Sequence, residues 1–134
     1  MAMLHKVVVR YMNGAVVKGT TSDFAPNRTT FTVSQEAPSA AGPIEVKVED
    51  LKAVFFVHSF LGNRGYREQK LRAPEGKIGR RYLLTFTDGE TMRGTALGVN
   101  LSRNGFLLFP SDPGSNNKRI FVMHSAVKEL RQEE

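Results

Sequence analysis

Residues 82–110, YLLTFTDGETMRGTALGVNLSRNGFLLFP, contain the pattern that decides the fold. The Asp88-Gly89 pair separates two runs rich in apolar and β-branched residues. An Asp-Gly pair between such runs is a strong signal for a β-hairpin. A polar loop then leads to a third apolar run at 105–109. The stretch therefore predicts a hairpin followed by a further strand.

The first half of the chain contains a second copy of this pattern. A shift of 75 positions places 88–95, DGETMRGT, on 13–20, NGAVVKGT, so that each glycine meets a glycine. A shift of 76 positions places 127–130, VKEL, on 51–54, LKAV. The one-residue difference falls in a loop, where insertions are tolerated. This ordered series of matches predicts a tandem duplication.

Gly14 and Gly89 occupy the same position in the two hairpins. A three-residue turn with a left-handed glycine keeps the apolar residues of both strands on one face, whereas a two-residue turn mixes the faces. We therefore expect positive φ at both glycines, which act as structural turn residues. The predicted cross-strand pairs are Val9 with Val17 and Leu84 with Met92.

Each half offers about five short strands, and the chain has no convincing amphipathic helix. Closing a small sheet on itself removes exposed strand edges. The sequence therefore predicts an all-β fold of two tandem antiparallel barrels, with residues 1–60 forming the first, 61–80 a connector and 81–134 the second. A short helix at 59–69 or at 127–132 is an alternative, and the last residues, 131–134, are expected to fray.

Composition limits the classes of protein that fit. Apolar residues make up 40% of the chain and charged residues 24%, as in an ordinary globular protein. No apolar run reaches the roughly 18 residues of a spanning helix, so membrane insertion is not expected. The absence of cysteine excludes disulfides and fits a reducing compartment, and we expect a cytoplasmic protein. The net charge of +6 allows an anionic partner.

Most of the excess positive charge lies in residues 62–81. This segment contains seven basic residues: Arg64, Arg67, Lys70, Arg72, Lys77, Arg80 and Arg81. Only Glu68 and Glu75 oppose them. The segment is either a solvated linker, kept soluble by its charge, or a basic arm that binds anions.

No signature of an enzyme occurs in the sequence. The three histidines, His5, His58 and His124, lie far apart along the chain. The motifs of zinc proteases, serine hydrolases and phosphate-binding loops are absent, and the aspartates lie at turn-like positions. We therefore expect no catalytic residues, no metal and no cofactor.

The order of glycines and strands resembles the small SH3-like barrels, and among them the Sm-like barrels. Those barrels open with a strand, a glycine turn, a second glycine five residues later and an apolar third strand. Gly89, Gly94 and the run 106–108 match this order, and 120–127 resembles the closing strand pair. The closing signature typical of Sm-like proteins, which accompanies RNA binding, is absent.

A second resemblance is to PilZ domains, which are β-barrels that bind cyclic di-GMP. They carry paired arginines before the first strand and a D/N-x-S-x-x-G motif at a barrel turn. This chain has Asn100-Leu101-Ser102-Arg103-Asn104-Gly105, although lysine replaces the first arginine of the arm. The resemblance implies a ligand site formed by Lys77, Arg80, Arg81, Asn100, Ser102 and Gly105.

Together these patterns predict a non-enzymatic binding or adaptor module, in bacterial signalling, that recognises cyclic di-GMP or another phosphate-bearing ligand. The alternatives are an Sm-like RNA-binding protein and a protein-interaction scaffold. RNA binders usually place aromatic residues among their basic ones. Tyr66 is the lone aromatic residue in the basic arm, which favours a nucleotide over RNA.

Overall fold

The computed structural model describes residues 3–35, 42–60, 79–100, 103–112 and 114–133. These residues form ten strands joined by loops and two single 3-10 turns, at Val48–Asp50 and His124–Ala126. The strands are β1 (His5–Tyr11), β2 (Val16–Thr21), β3 (Thr30–Gln35), β4 (Ile44–Lys47), β5 (Leu51–Val57), β6 (Arg80–Phe86), β7 (Thr91–Ala96), β8 (Gly105–Pro110), β9 (Asn117–Met123) and β10 (Val127–Glu133). The predicted all-β fold with little helix is confirmed.

All ten strands belong to one open antiparallel sheet, in the order β10-β6-β7-β8-β9-β5-β1-β2-β3-β4. The five strands of the second half repeat the order of the first half, β5-β1-β2-β3-β4, shifted by five. The two sets of strands join where β5 pairs with β9. The halves therefore share one hydrogen-bonded sheet rather than standing apart.

The strand β5 joins the halves because it is apolar on both faces. Val54 lies opposite Val9 of the first half, and its neighbour Phe55 lies opposite Ile120 of the second half. Successive side chains of a strand point to opposite faces, so these two residues serve different sides of the sheet. Both are buried, at 0% and 5% exposure.

Phe24, in the loop between β2 and β3, packs its side chain against the core. Its ring packs edge-on against Phe31, Phe56 and Phe121, with centroid distances of 5.1, 5.5 and 5.2 Å. Aromatic pairs of this geometry contribute about 0.5–1.5 kcal/mol beyond their burial. Because Phe121 belongs to the second half, the loop residue ties the two halves together.

The two hairpin turns have the predicted geometry. Gly14 has a φ of 91° and Gly89 a φ of 93°. Around the first turn, the amide of Tyr11 donates a hydrogen bond to the carbonyl of Ala15 at 3.0 Å. The predicted pairs, Val9 with Val17 and Leu84 with Met92, are both present.

The end of the chain differs from the expectation. Residues 127–133 form the strand β10, so the alternative of a helix at 127–132 and the fraying expected at 131–133 are wrong. The strand continues because β6 offers it a partner along its length, up to the pair Glu133 and Arg81. Glu133 also accepts a hydrogen bond from Nε of Arg93 at 3.1 Å, which fixes this end.

Candidate functional site

The two predicted arginines, Arg80 and Arg81, are the first residues of the strand β6. Lys77 and Ser102 lie outside the described residues. Arg80 is exposed at the start of β6, opposite Ala96, and its Nη1 donates a hydrogen bond to Oε1 of Gln132 at 3.2 Å. Arg81, the next residue, lies opposite Thr95 of β7 and Glu133 of β10. Both arginines therefore lie beside the last residues of β7 and β10.

The other predicted residues occupy two different settings. Asn100 is exposed in the turn after β7, whereas Gly105 is buried at the start of β8. A Cβ on Gly105 would lie 1.9 Å from the carbonyl oxygen of Val122 and 3.1 Å from the ring of Phe121. Close approach of β9 therefore explains this glycine, and β7 lies between it and the strand of Arg80.

A groove lies where the two halves meet, and we call it the junction groove. It consists of two adjoining pockets of about 330 Å³ each, which share Val48, Glu49 and Asn104. The first pocket is also lined by Thr29, Thr30 and Lys47, and the second by Arg103, Met123, His124 and Ser125. The two 3-10 turns and the segment before β8, which consists of Arg103 and Asn104, thus line one surface.

Asn104 fixes the position of the segment before β8. Its Nδ2 donates hydrogen bonds to the carbonyls of Pro26 and Arg28, both at 3.0 Å. Its own carbonyl accepts a hydrogen bond from the amide of His124 at 3.0 Å. The segment is therefore attached to the loop of the first half and to the His124–Ala126 turn, which places Arg103 at the groove.

The junction groove carries charges of both signs. Lys47 and Arg103 are exposed cations from different halves of the chain, and Glu49 is an exposed carboxylate in both pockets. His124 is half-buried, with its ring 5.6 Å from that of Phe106. This arrangement suits a ligand that presents both an anionic group and hydrogen-bond donors.

A third pocket of about 500 Å³ adjoins the groove through Glu49. Tyr11, Met12, Asn13 and Asp50 form the rest of its lining. Partial burial, and then the negative charge of Asp50, raise the pKa of the Tyr11 hydroxyl above its ordinary value. This hydroxyl therefore stays protonated at neutral pH and remains a hydrogen-bond donor.

The junction groove includes part of the sequence motif, but not the side chains that the motif predicted as ligand contacts. Arg103 and Asn104 lie inside the predicted motif, yet only the fold brings them to Lys47 and Glu49. One signal is present in the sequence, since the 75-position shift places Asn104 on Thr29, and both line the first pocket. The contact between those two loops depends on the pairing of β5 with β9.

The described residues show no three His, Asp or Glu side chains gathered as a metal-binding group. In the same ranges, no helix is long and apolar enough to cross a bilayer. Comparison with curated proteins and with solved structures finds no match. The model of a family of unknown function, DUF6982, matches residues 3–133. The chain therefore belongs to the DUF6982 family.

Proposed function

We propose that this protein is a non-enzymatic binding module that recognises a phosphate-bearing ligand, a guanine nucleotide, in the junction groove. The observation that carries the proposal is that Lys47 of the first half and Arg103 of the second half line adjoining pockets that share Glu49. The lack of cysteine supports action in a reducing compartment such as the cytoplasm.

The chemistry of the groove favours a nucleotide with a donor edge on its base. An arginine guanidinium binds phosphate with two parallel hydrogen bonds, and a lysine adds a second positive charge. A carboxylate only accepts hydrogen bonds, so Glu49 fits the amino group of guanine, which adenine lacks at that position. Pockets of about 300–1,000 Å³ are typical of small-molecule sites.

The groove favours a nucleotide over an RNA strand. Proteins that hold single-stranded RNA stack its bases on aromatic side chains. Among the described residues that line the junction groove, His124 has the one aromatic ring. This ring already packs against Phe106, which restricts its use as a stacking platform.

The PilZ resemblance supplies cyclic di-GMP as a probe, because that ligand presents two phosphates and two guanines. We would titrate cyclic di-GMP, GMP, AMP and a short mixed RNA into the protein by calorimetry. Arg103→Ala should weaken nucleotide binding by about 1.5–3 kcal/mol, the value of a hydrogen bond to a charged group. Glu49→Gln should reduce the preference for GMP over AMP. Arg131→Ala, an exposed arginine on β10, is the control and should bind like the wild type.

Binding at the basic arm would give a different pattern of lost nucleotide affinity among the variants. If the ligand binds at the arm, Arg80→Ala and Arg81→Ala should abolish binding and Arg103→Ala should leave it intact. That outcome would replace the junction groove with the site implied by the PilZ resemblance. Absence of binding by any of the four probes would contradict the proposal as a whole.

We also infer that the chain arose by tandem duplication of a five-stranded unit, and that each unit forms a small SH3-like barrel. The repeated strand order supports this inference. Gly19 and Gly94, one unit apart, support it further: a Cβ on either would lie 2.2 or 2.3 Å from a carbonyl oxygen of the neighbouring strand. Unrelated strands have no reason to share such an approach at matching positions.

A further inference from the structure

The strand β4 (Ile44–Lys47) forms one edge of the sheet. In the part of the chain that the structure describes, it pairs on one side only, with β3. The strand at the same place in the second half, β9, pairs on both sides, because β5 covers its outer edge. An uncovered edge of this kind offers backbone groups to a further strand.

Two residues of β4 direct their backbone groups toward the open edge. In the register of β3 with β4, the amide of Val48 donates a hydrogen bond to the carbonyl of Thr29 at 2.9 Å. Residues of an antiparallel pair alternate between hydrogen-bonded and non-hydrogen-bonded positions, so Val46 bonds to β3 as Val48 does. The N–H and C=O groups of Glu45 and Lys47 therefore point away from β3.

These outward groups limit the registers in which a second copy of β4 can pair with the first. In an antiparallel approach, Glu45 and Lys47 of the second copy are again the residues whose backbone groups point outward. One register sets Glu45 opposite the second copy's Lys47, and Lys47 opposite its Glu45. The neighbouring registers set Glu45 opposite Glu45, or Lys47 opposite Lys47. Of these three registers, the first alone places opposite charges in cross-strand pairs, which is the stabilising arrangement.

We propose that two copies of this protein form a symmetric dimer in which β4 pairs with β4 across a twofold axis. The axis passes between the two Val46 residues, and Glu45 and Lys47 form two identical cross-strand pairs. The register also sets Ile44, which is half-buried in one chain, opposite the apolar Val48 of the second copy. Charged residues on an edge strand oppose pairing with an arbitrary strand, but the charges of β4 are complementary to themselves.

The other edge of the sheet, β10, does not fit β4 in this way. The register of β5 with β9, transferred to a second copy, sets Glu129 opposite Val46 and Arg131 opposite Ile44. Each of these pairs places a charged side chain against an apolar one. Head-to-tail pairing of β4 with β10 would also continue into a filament, whereas pairing across a twofold axis closes at two copies.

Lys47 belongs both to this interface and to the junction groove, because it lines the first pocket. In the dimer, Glu45 of the second copy lies opposite Lys47, so the second copy adds a carboxylate beside a cation of the groove. Dimer formation uses the backbone groups and charges of β4 and requires no nucleotide. Measurements without nucleotide therefore test the dimer alone, and a negative result would leave binding in the groove unaffected.

Analytical ultracentrifugation over a range of protein concentrations measures the dimer. The average mass of the wild type should rise from that of one chain toward that of two chains, and no further. Glu45→Lys should weaken dimerisation by roughly 30-fold, because two cross-strand pairs change from attractive to repulsive. Lys47→Glu should weaken it to a similar extent for the same reason. Glu129→Lys, the same change of charge on β10, is the control and should dimerise like the wild type.

Mixing the two variants separates charge pairing from damage to the fold. Glu45→Lys presents two lysines on the edge and Lys47→Glu presents two glutamates, so their equimolar mixture should form a heterodimer as readily as the wild type forms its dimer. The double variant, which carries both changes, should also dimerise. A wild type that stays monomeric, as expected if the edge binds a different protein, would overturn the proposal. Unimpaired dimerisation of both single variants, or a mixture that stays monomeric, would overturn it as well.

Discussion

The ammonium group of Lys52 lies 2.8 Å from Oδ2 of Asp88, which joins a strand of the first half to the hairpin turn of the second. The same ammonium group pairs with Glu90 and lies 4.5 Å from the ring centre of Phe86. The Lys52 side chain is 12% exposed, whereas Asp88 and Glu90 are 55% and 43% exposed, so packing holds the lysine in place while water still screens the two carboxylates. The contact therefore orients the two halves as well as pairing charges.

The stability that this ion pair contributes should decrease at acidic pH. The hydrogen bond from Lys52, and then the one from the amide of Glu90, lower the pKa of Asp88 below its ordinary value of 3.8. The unfolded chain thus binds a proton at a higher pH than the folded chain does. The contribution is complete above the unfolded pKa and is lost as pH falls through the lower folded pKa.

We therefore expect Lys52→Met to reduce the slope of stability against pH below about pH 4, and to lower the midpoint of unfolding at neutral pH. Urea unfolding followed at several pH values between 3 and 7 measures both effects. Lys128→Met is the matched control, because Lys128 is the exposed lysine at the corresponding position of β10. An unchanged pH slope in Lys52→Met would show that the ion pair does not link the halves.

Substitution of the turn glycine Gly89 should destabilise the protein because of backbone conformation alone. Its φ is 93°, and a Cβ there would meet no atom within 4 Å. Gly89→Ala should therefore destabilise the protein by about 1 kcal/mol or more through strain. Gly105→Ala, where a Cβ would lie 1.9 Å from the carbonyl of Val122, should cost more. Thermal unfolding of the two variants compares them, and equal losses would contradict the distinction.

The local features of this fold could be predicted from sequence, and the joining of its halves could not. Asn-Gly and Asp-Gly fix a turn within a few residues, so Gly14 and Gly89 were placed correctly. The pairing of β5 with β9 depends on residues far apart in the chain. The run LKAVFFV at 51–57 is buried at every position except Lys52, as expected for a strand covered on both faces, but the run does not specify which strand pairs with it.

The same reasoning explains the error at the end of the chain and shows how little the motif at 100–105 specifies. In β10, the exposed residues Lys128, Glu129, Arg131 and Gln132 separate the half-buried ones, so the strand lacks the strong apolar signal of β5. The motif ending at Gly105 resembled a ligand turn, yet strand packing accounts for its glycine. Arg103 lies at the junction groove because of the order of strands in the sheet, which no local sequence pattern predicts.

The charges on β10 should keep further units from stacking at that end of the sheet. Ala53 and Phe55 of β5 contact the second half, and the 76-position shift places Glu129 and Arg131 at their positions. Charged residues on an edge strand oppose pairing with another chain. We expect Glu129→Ala combined with Arg131→Phe to raise the average mass in solution with concentration, as measured by analytical ultracentrifugation.

The control for this association is Lys6→Phe, which adds an exposed aromatic residue on β1 away from either edge. It should leave the mass of the wild type unchanged. If it associates as strongly as the double variant, then added surface hydrophobicity alone explains the effect, and the charges on β10 have no special role.

Asn104 should support the junction groove without contacting the ligand through its own amide hydrogens. Both hydrogens of Nδ2 are engaged by the carbonyls of Pro26 and Arg28. Asn104→Ala leaves these two carbonyls without their donor and should destabilise the fold by about 1–2 kcal/mol. It should also weaken guanine nucleotide binding, because Arg103 loses the anchor beside it, while the preference for GMP over AMP, which depends on Glu49, is retained. Calorimetry and urea unfolding on the same samples give the two readouts, with Asn100→Ala, an exposed turn residue, as the control. Loss of stability with nucleotide affinity unchanged would show that the segment before β8 holds the fold together but does not shape the binding surface.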